Sequence, residues 1–258
     1  MPRPELTTYK KLCTEFYDLE LKHRSETPEA LAFFTDYARQ ANGPILEPMC
    51  GTGRFLIPLL QADFDIEGFD ASAHMLDALK QNYARVSNQP APAWQEFVQD
   101  FDNQKQYNLI FVPFGSWGLI SDLETAKKGL EIMYRHLAPG GKFVLEIETV
   151  ASLPQPSGVW RQITNTRADG SQIALKILIS YEPEKQLFKS LCRYESIVNN
   201  KVLATEEEDF YMYLYRFDEM DTLLAQAGFS HIKKYCNYRK EPASDPNTPI
   251  IFYECSKE

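Results

Sequence analysis

Residues 44–60, PILEPMCGTGRFLIPLL, compress a strand, a tight turn and a helix start into one stretch, and that junction limits what the chain can become. Ile45 and Leu46 form an apolar run that ends in an acid, Glu47. A turn with two glycines follows, Cys50-Gly51-Thr52-Gly53, and then apolar residues at helical spacing: Phe55, Leu56, Leu59 and Leu60. Glycine has no Cβ, so Gly51 and Gly53 permit positive φ and let a ligand lie against bare main chain. The N–H groups that open the helix lack intrahelical partners and favour an anionic group. A nucleotide-like ligand is therefore expected at this turn. A dinucleotide fingerprint needs a third glycine, and Leu56 stands in its place. The Gly-Lys-Ser/Thr triplet of a Walker loop occurs nowhere in the chain.

The chain has 258 residues, 44% of them hydrophobic, which is enough for one sizeable α/β domain with an insertion or for two small domains. A formal net charge of −9 argues against a nucleic-acid binder, because phosphate neutralisation needs clustered Lys and Arg. Cys13, Cys50, Cys192, Cys236 and Cys255 are scattered, with no Cys-x-x-Cys and no His spacing suited to zinc. No metal site is expected. The N-terminus is polar, and no long apolar run follows, so the expectation is a cytoplasmic protein without a membrane segment.

Apolar residues at helical spacing over 5–22, among them Phe16 and Tyr17, predict a first helix. Pro28, after the cap candidates Ser25 and Thr27, opens a second that ends near Asn42-Gly43. Phe64, Ile66 and Phe69 read as a strand ending at Asp70, with Ser72 capping a helix that carries Met75, Leu76 and Leu79. An acid at the end of that strand is where a ribose diol can be held by one carboxylate. Residues 83–93 form a Pro- and Ala-containing linker, and residues 94–98 a third strand that runs into Asp100 and Phe101. Residues 107–112 are a nearly all-apolar strand, as expected inside a parallel sheet. Ligands bind beyond the carboxyl ends of such strands, which nominates Phe114, Ser116 and Trp117. A helix over 122–137 closes at the breaker cluster Ala138-Pro139-Gly140-Gly141, and the next strand ends in Glu146 and Glu148. His136 at that helix end suits the dipole and is read as structural.

The acid-then-Gly-rich turn ending Cys-Gly-Thr-Gly resembles motif I of class I S-adenosylmethionine-dependent methyltransferases. Asp70-x-Ser72-x-x-Met75 and the run from His136 through Gly141 resemble later motifs of the same family, in the same order. The family usually has a glycine where Met49 stands, a departure that takes backbone freedom from the turn. The resemblance implies a seven-stranded, mostly parallel Rossmann-like sheet with helices on both faces and a helical lid. It implies S-adenosylmethionine as cofactor, S-adenosylhomocysteine as product, and a cofactor site built from Tyr17, Glu47, Met49, Gly51, Gly53, Asp70, Ala71, Met75, Asp100, Phe101 and Phe114. The Asn/Asp-Pro-Pro-Tyr tetrad of adenine and amide N-methylases is absent, which disfavours a nucleic-acid base as acceptor.

Over 158–215 the pattern changes to alternating strands joined by turn signals at Asp169-Gly170, Pro183-Glu184-Lys185 and Asn199-Asn200, predicting a small antiparallel sheet. It resembles the substrate-covering insertion of small-molecule methyltransferases, and pairing of two subunits into a homodimer is the competing use. Glu206-Glu207-Glu208-Asp209 reads as a solvated acidic run. The expected organisation is a helical lid over 1–42, a cofactor-binding domain over 43–157 and 216–258, and the insertion over 158–215. Tyr17, Trp117, Glu148 and Arg193 are the candidate substrate contacts, and no general base is identified, His23 on the lid being weakly placed. The expected reaction is methyl transfer to an N, O or carboxylate nucleophile of a small molecule. A non-catalytic cofactor-binding module and a nicotinamide-dependent oxidoreductase are the alternatives, the latter lacking the third glycine of its fingerprint.

Overall fold

In the computed structural model, residues 6–21, 27–153 and 158–258 are described. In chain order come α1 (Lys11–Leu21), α2 (Thr27–Gln40), β1 (Ile45–Pro48), α3 (Leu56–Gln61), β2 (Ile66–Asp70), α4 (Ala73–Tyr83), β3 (Ala93–Gln95), β4 (Tyr107–Val112), α5 (Leu123–His136) and β5 (Leu137–Glu148). Four long strands follow: β6 (Trp160–Thr166), β7 (Gln172–Glu182), β8 (Leu187–Val198) and β9 (Lys201–Tyr213). α6 (Glu219–Gln226), β10 (Ser230–Tyr235) and β11 (Ile250–Ser256) complete the chain. Among the described residues, no helix is long and apolar enough to cross a membrane.

The larger sheet has the order β10-β11-β5-β4-β1-β2-β3. Its first five strands in sequence pair in parallel, whereas β11 runs antiparallel to β5 and to β10. The sheet is mostly parallel because β1, β4 and β5 are buried on both faces and need helices on both sides. One core lies under α5 and α6, around Trp117, Phe143 and Tyr253. The other lies under α2, α3 and α4, around Phe34, Phe55 and Phe111. The chain reverses direction across the sheet between β1 and β4, so a crevice opens at their carboxyl ends.

The second sheet is an antiparallel meander, β6-β7-β8-β9. The predicted turns are where the sequence puts them. Asn199 and Asn200 both take positive φ, 49° and 60°, which is the backbone of a two-residue primed hairpin. One face of this sheet receives α1: Leu12, Cys13 and Phe16 pack on Ile173, Leu175, Cys192 and Tyr194.

Four expectations need correcting. The first helix begins at Lys11, not residue 5, because Tyr9 turns the chain with φ 55° just before it. The acidic run is only half solvated. Alternation along β9 turns Glu208 inward, where its two oxygens accept the main-chain N–H of Tyr9 and of Lys10, both at 2.8 Å. Glu206 accepts the N–H of Leu12 at 2.6 Å. These carboxylates replace the missing partners at the start of α1 and favour its positive end. β3 stops at Gln95, short of residue 98, where a 3-10 turn begins. β5 starts at Leu137, inside the expected breaker cluster, because Gly140 N–H pairs with Lys257 O and Leu137 pairs with Tyr107 across an irregular register. Ser25 and His23 lie outside the described residues.

Candidate active site

A cavity of about 680 Å³ opens at the carboxyl ends of β1, β2 and β4, within the size range of small-molecule sites. The turn after β1 forms its floor. Met49 adopts φ 59°, so the left-handed geometry survives without the usual glycine, at a cost of roughly 1–2 kcal/mol. Gly51 lines the cavity at φ +55°, and a Cβ built on it would meet nothing within 4 Å, so it leaves main chain open to a ligand. Gly53 has a different reason to be glycine. Its φ is +87°, and a Cβ would lie 2.9 Å from Ile57 and 3.1 Å from Leu79. It permits the close approach of α3 and α4 and does not line the cavity.

Asp70, at the end of β2, is held by the protein before any ligand arrives. Its Oδ2 accepts Gly51 N–H at 2.9 Å and its Oδ1 accepts Ser72 N–H at 2.8 Å. Burial nonetheless pushes its carboxyl up from 3.8 to about 6, against the hydrogen bonds from Ser72, Gly51 and Ala71. A carboxylate has about four acceptor positions, so acceptor capacity remains for a ligand hydroxyl. Ser72 caps α4 by accepting Met75 N–H at 3.2 Å, which places Ala71 and Met75 on the cavity wall beside Asp70.

Tyr17 of α1, Met49, Gly51, Asp70, Ala71, Met75 and Phe114 thus share one cavity. Phe114 is held by φ 56° and by donation of its N–H to Glu146 at 2.9 Å. The other nominated residues fall elsewhere. Glu47 is buried beneath the turn, not on the wall, and its carboxylate accepts Leu56 N–H. Burial raises its pKa well above the ordinary value, and one oxygen, Oε2, has no hydrogen-bond partner. Asp100 is turned outward by the 3-10 turn, 3.8 Å from Lys128, and Phe101 stacks on Phe69 in the core at 4.7 Å. Glu96, Phe97, Val98 and Gln99 line the cavity in their place. The early end of β3 shifts the wall by a few residues, and apolar pattern alone did not reveal it.

Trp117 is fully buried against Phe143, one residue past the cavity-lining Ser116. Glu148 sits behind the Phe114-Gly115 turn, where a Cβ on Gly115 would lie 3.0 Å from its Cγ, and it accepts the Ser152 hydroxyl at 3.0 Å. Arg193 lies on the face of β8 away from α1, bound to Glu195 at 2.8 Å, because Cys192 and Tyr194 take the inward positions. His136 is buried, its Nδ1 2.9 Å from Ile132 O and its ring against Phe101. The sequence reading missed Arg54, whose guanidinium lies 3.5 Å from the Phe114 ring centroid at the cavity wall. It also missed Asp209–Met212 of β9 and residues 6–9 as the roof. Those contacts join segments about 200 positions apart, and no local pattern encodes them. Among the described residues, no group of three or more His, Cys, Asp or Glu could hold a metal ion.

The roof is latched by Glu208. Glu208→Ala is expected to orphan two N–H groups at the start of α1 and cost about 1–2 kcal/mol locally. Faster amide exchange over 9–16, with β4 and β5 unchanged, would register it.

Residues 46–143 match the family model described as a methyltransferase domain. No curated protein sequence matches the chain. Among solved structures, an S-adenosylmethionine-dependent methyltransferase from Clostridium acetobutylicum superposes with a TM-score of 0.77 at 17% identity, covering 94% of this chain and 96% of that one. A sugar N-methyltransferase from Streptoalloteichus sp. gives 0.72 at 18% identity, covering 100% and 99%. An amino pentose methyltransferase from Micromonospora echinaspora, solved with S-adenosylmethionine bound, gives 0.68 at 16% identity, covering 97% and 99%. Residues 46–143 thus match a methyltransferase domain, and the strand order with its cavity at the switch point is the fold that these solved methyltransferases share. Residues 6–9, Tyr17 of α1 and Asp209–Met212 of β9 line the far side of the cavity, whereas α2 packs on the main sheet.

Proposed function

We propose that the protein transfers the methyl group of S-adenosylmethionine to the nitrogen of a small-molecule amine. The charge of the cavity carries this reading. Asp70, Glu96, Asp122 and Asp209 line it, against Arg54 as the one cation among the described lining residues. Such a lining draws in an ammonium and repels a carboxylate or phosphate acceptor. That the sugar and amino pentose enzymes share the fold lends the amine support.

The residues present fit the donor. Open main chain at Gly51 and the prearranged Asp70 would hold its nucleoside, with Met75 and Phe97–Gln99 around the base. When bound, it supplies an electrophilic methyl on a sulfonium. The chain's own part is to align the acceptor and exclude water, and such positioning can account for several kcal/mol of the barrier. An ammonium must lose a proton before attack, and a cavity carboxylate can accept it. Among the described residues no histidine lines the cavity, so a plain alcohol, which needs a stronger base, fits less well.

Calorimetric titration with S-adenosylmethionine, S-adenosylhomocysteine and NAD, followed by mass spectrometry of amine, alcohol and carboxylic acid panels, tests the reading. Micromolar binding of the first two and a one-methyl mass gain on amines is the expected result. Binding of NAD alone, or transfer confined to alcohols or acids, would sink it.

A further inference from the structure

Resting on that reading, we propose that the acceptor amine carries a secondary amide, peptide-like, and that this unit pairs in extended form with the free edge of β9 at Asp209 and Tyr211. β9 is the last strand of its sheet, and among the described residues no strand pairs with its other edge. Along a strand, the main-chain N–H and C=O groups of successive residues point to alternate sides.

Three hydrogen bonds fix which residues face which way. Leu214 N–H donates to Gln186 O at 2.9 Å, toward β8. Glu207 O accepts from Lys10 Nζ at 2.9 Å, and Tyr215 N–H donates to Glu148 O at 3.2 Å, both away from β8. Between Tyr213 and Ala204 the β8–β9 register runs without a shift. The odd-numbered residues from Glu207 to Tyr215 therefore turn their main chain to the free edge, and the even-numbered ones pair with β8.

That edge is covered at both ends. Lys10 takes it at Glu207, and the turn carrying Gly118 closes on Tyr213, where a Cβ on Gly118 would lie 2.9 Å from Tyr213 O. What remains between them is Asp209 and Tyr211, in the stretch Asp209–Met212 that lines the cavity. Two residues along a strand span roughly 6.8 Å. The cavity wall thus offers two N–H/C=O pairs at the repeat of an extended amide chain. Main-chain groups covered by a ligand must find partners or cost stability, and an amide chain supplies donor and acceptor at that same repeat. Hydroxyls can occupy such groups one at a time, without the repeat.

The test compares glycylglycine methylamide with its ester isostere, in which the central amide N–H is replaced by oxygen, and with a hexosamine, using the full chain and S-adenosylmethionine. Transfer to the amide at least tenfold faster than to the ester or hexosamine is expected. Tyr211→Pro removes an N–H from the free edge alone, as edge strands tolerate, and should abolish that preference while donor affinity holds. Tyr211→Ala, which keeps the N–H, should retain it. Equal or faster transfer to the ester or hexosamine, no binding or methylation of the amide by protein that binds the donor, or an unchanged preference in a folded Tyr211→Pro variant would each overturn the proposal. Failure of the wild-type chain to bind the donor would count against the methyltransferase reading instead.

Discussion

Replacing Asp70 by alanine is expected to weaken S-adenosylmethionine binding about a hundredfold, close to 2.7 kcal/mol. The side chain offers a prealigned carboxylate at the end of β2, and hydrogen bonds to charged groups contribute about 1.5–3 kcal/mol each. The same group predicts a pH dependence. Its carboxyl is pushed up to about 6 by burial, so below that pH the charged acceptor is lost, and affinity should fall by up to about tenfold per unit. Stability responds with the opposite sign. A carboxyl whose pKa rises on folding contributes stability in full below the unfolded value, and that contribution is lost as pH rises from 3.8 through about 6. Alanine has no such loss. The melting temperature of Asp70→Ala relative to wild type should therefore improve from pH 5 to pH 8 even as donor binding collapses. Calorimetry and thermal melts over pH 5–8 check both; unchanged affinity would remove Asp70 from the ribose role.

How much of this was legible beforehand depends on the range over which each feature is encoded. Local features read well. The β1 turn, the acid ending β2, the Ser72 cap and the three hairpin turns of the second sheet each rest on a few adjacent residues with a stereochemical reason to be there. Met49 is the exception, holding the left-handed turn against the preference of its side chain. Features set by tertiary pairing did not. Glu206 and Glu208 look like surface charge until α1 packs on β9, and Arg193 looks like a cavity residue until register assigns it to the far face. Asp100 and the Glu96–Gln99 wall were exchanged because β3 ends three residues before the apolar pattern does. The roof over the cavity is the least legible part, since it joins the chain's first residues to β9.

Trp117→Ala carries the largest expected loss of stability. The ring is fully buried against Phe143 and closes on Gly129, where a Cβ would lie 3.1 Å from it. Removing it leaves a cavity between α5 and β5, and truncations of this kind cost about 3–5 kcal/mol. For a chain of this size that is a fall in melting temperature of roughly 10 °C. Trp117→Phe separates packing from polarity, because the indole N–H has no hydrogen-bond partner in its pocket. Phenylalanine removes that orphaned donor, which offsets part of the lost volume, so its melting temperature should fall only a few degrees. A substrate-facing tryptophan would give the reverse pattern: a raised KM, with the melting temperature unmoved. The structure places the cavity wall at Ser116 and the core at Trp117, one residue apart on a 3-10 turn. Thermal melts of the two variants beside KM for any acceptor therefore decide whether the end of β4 is oriented as described.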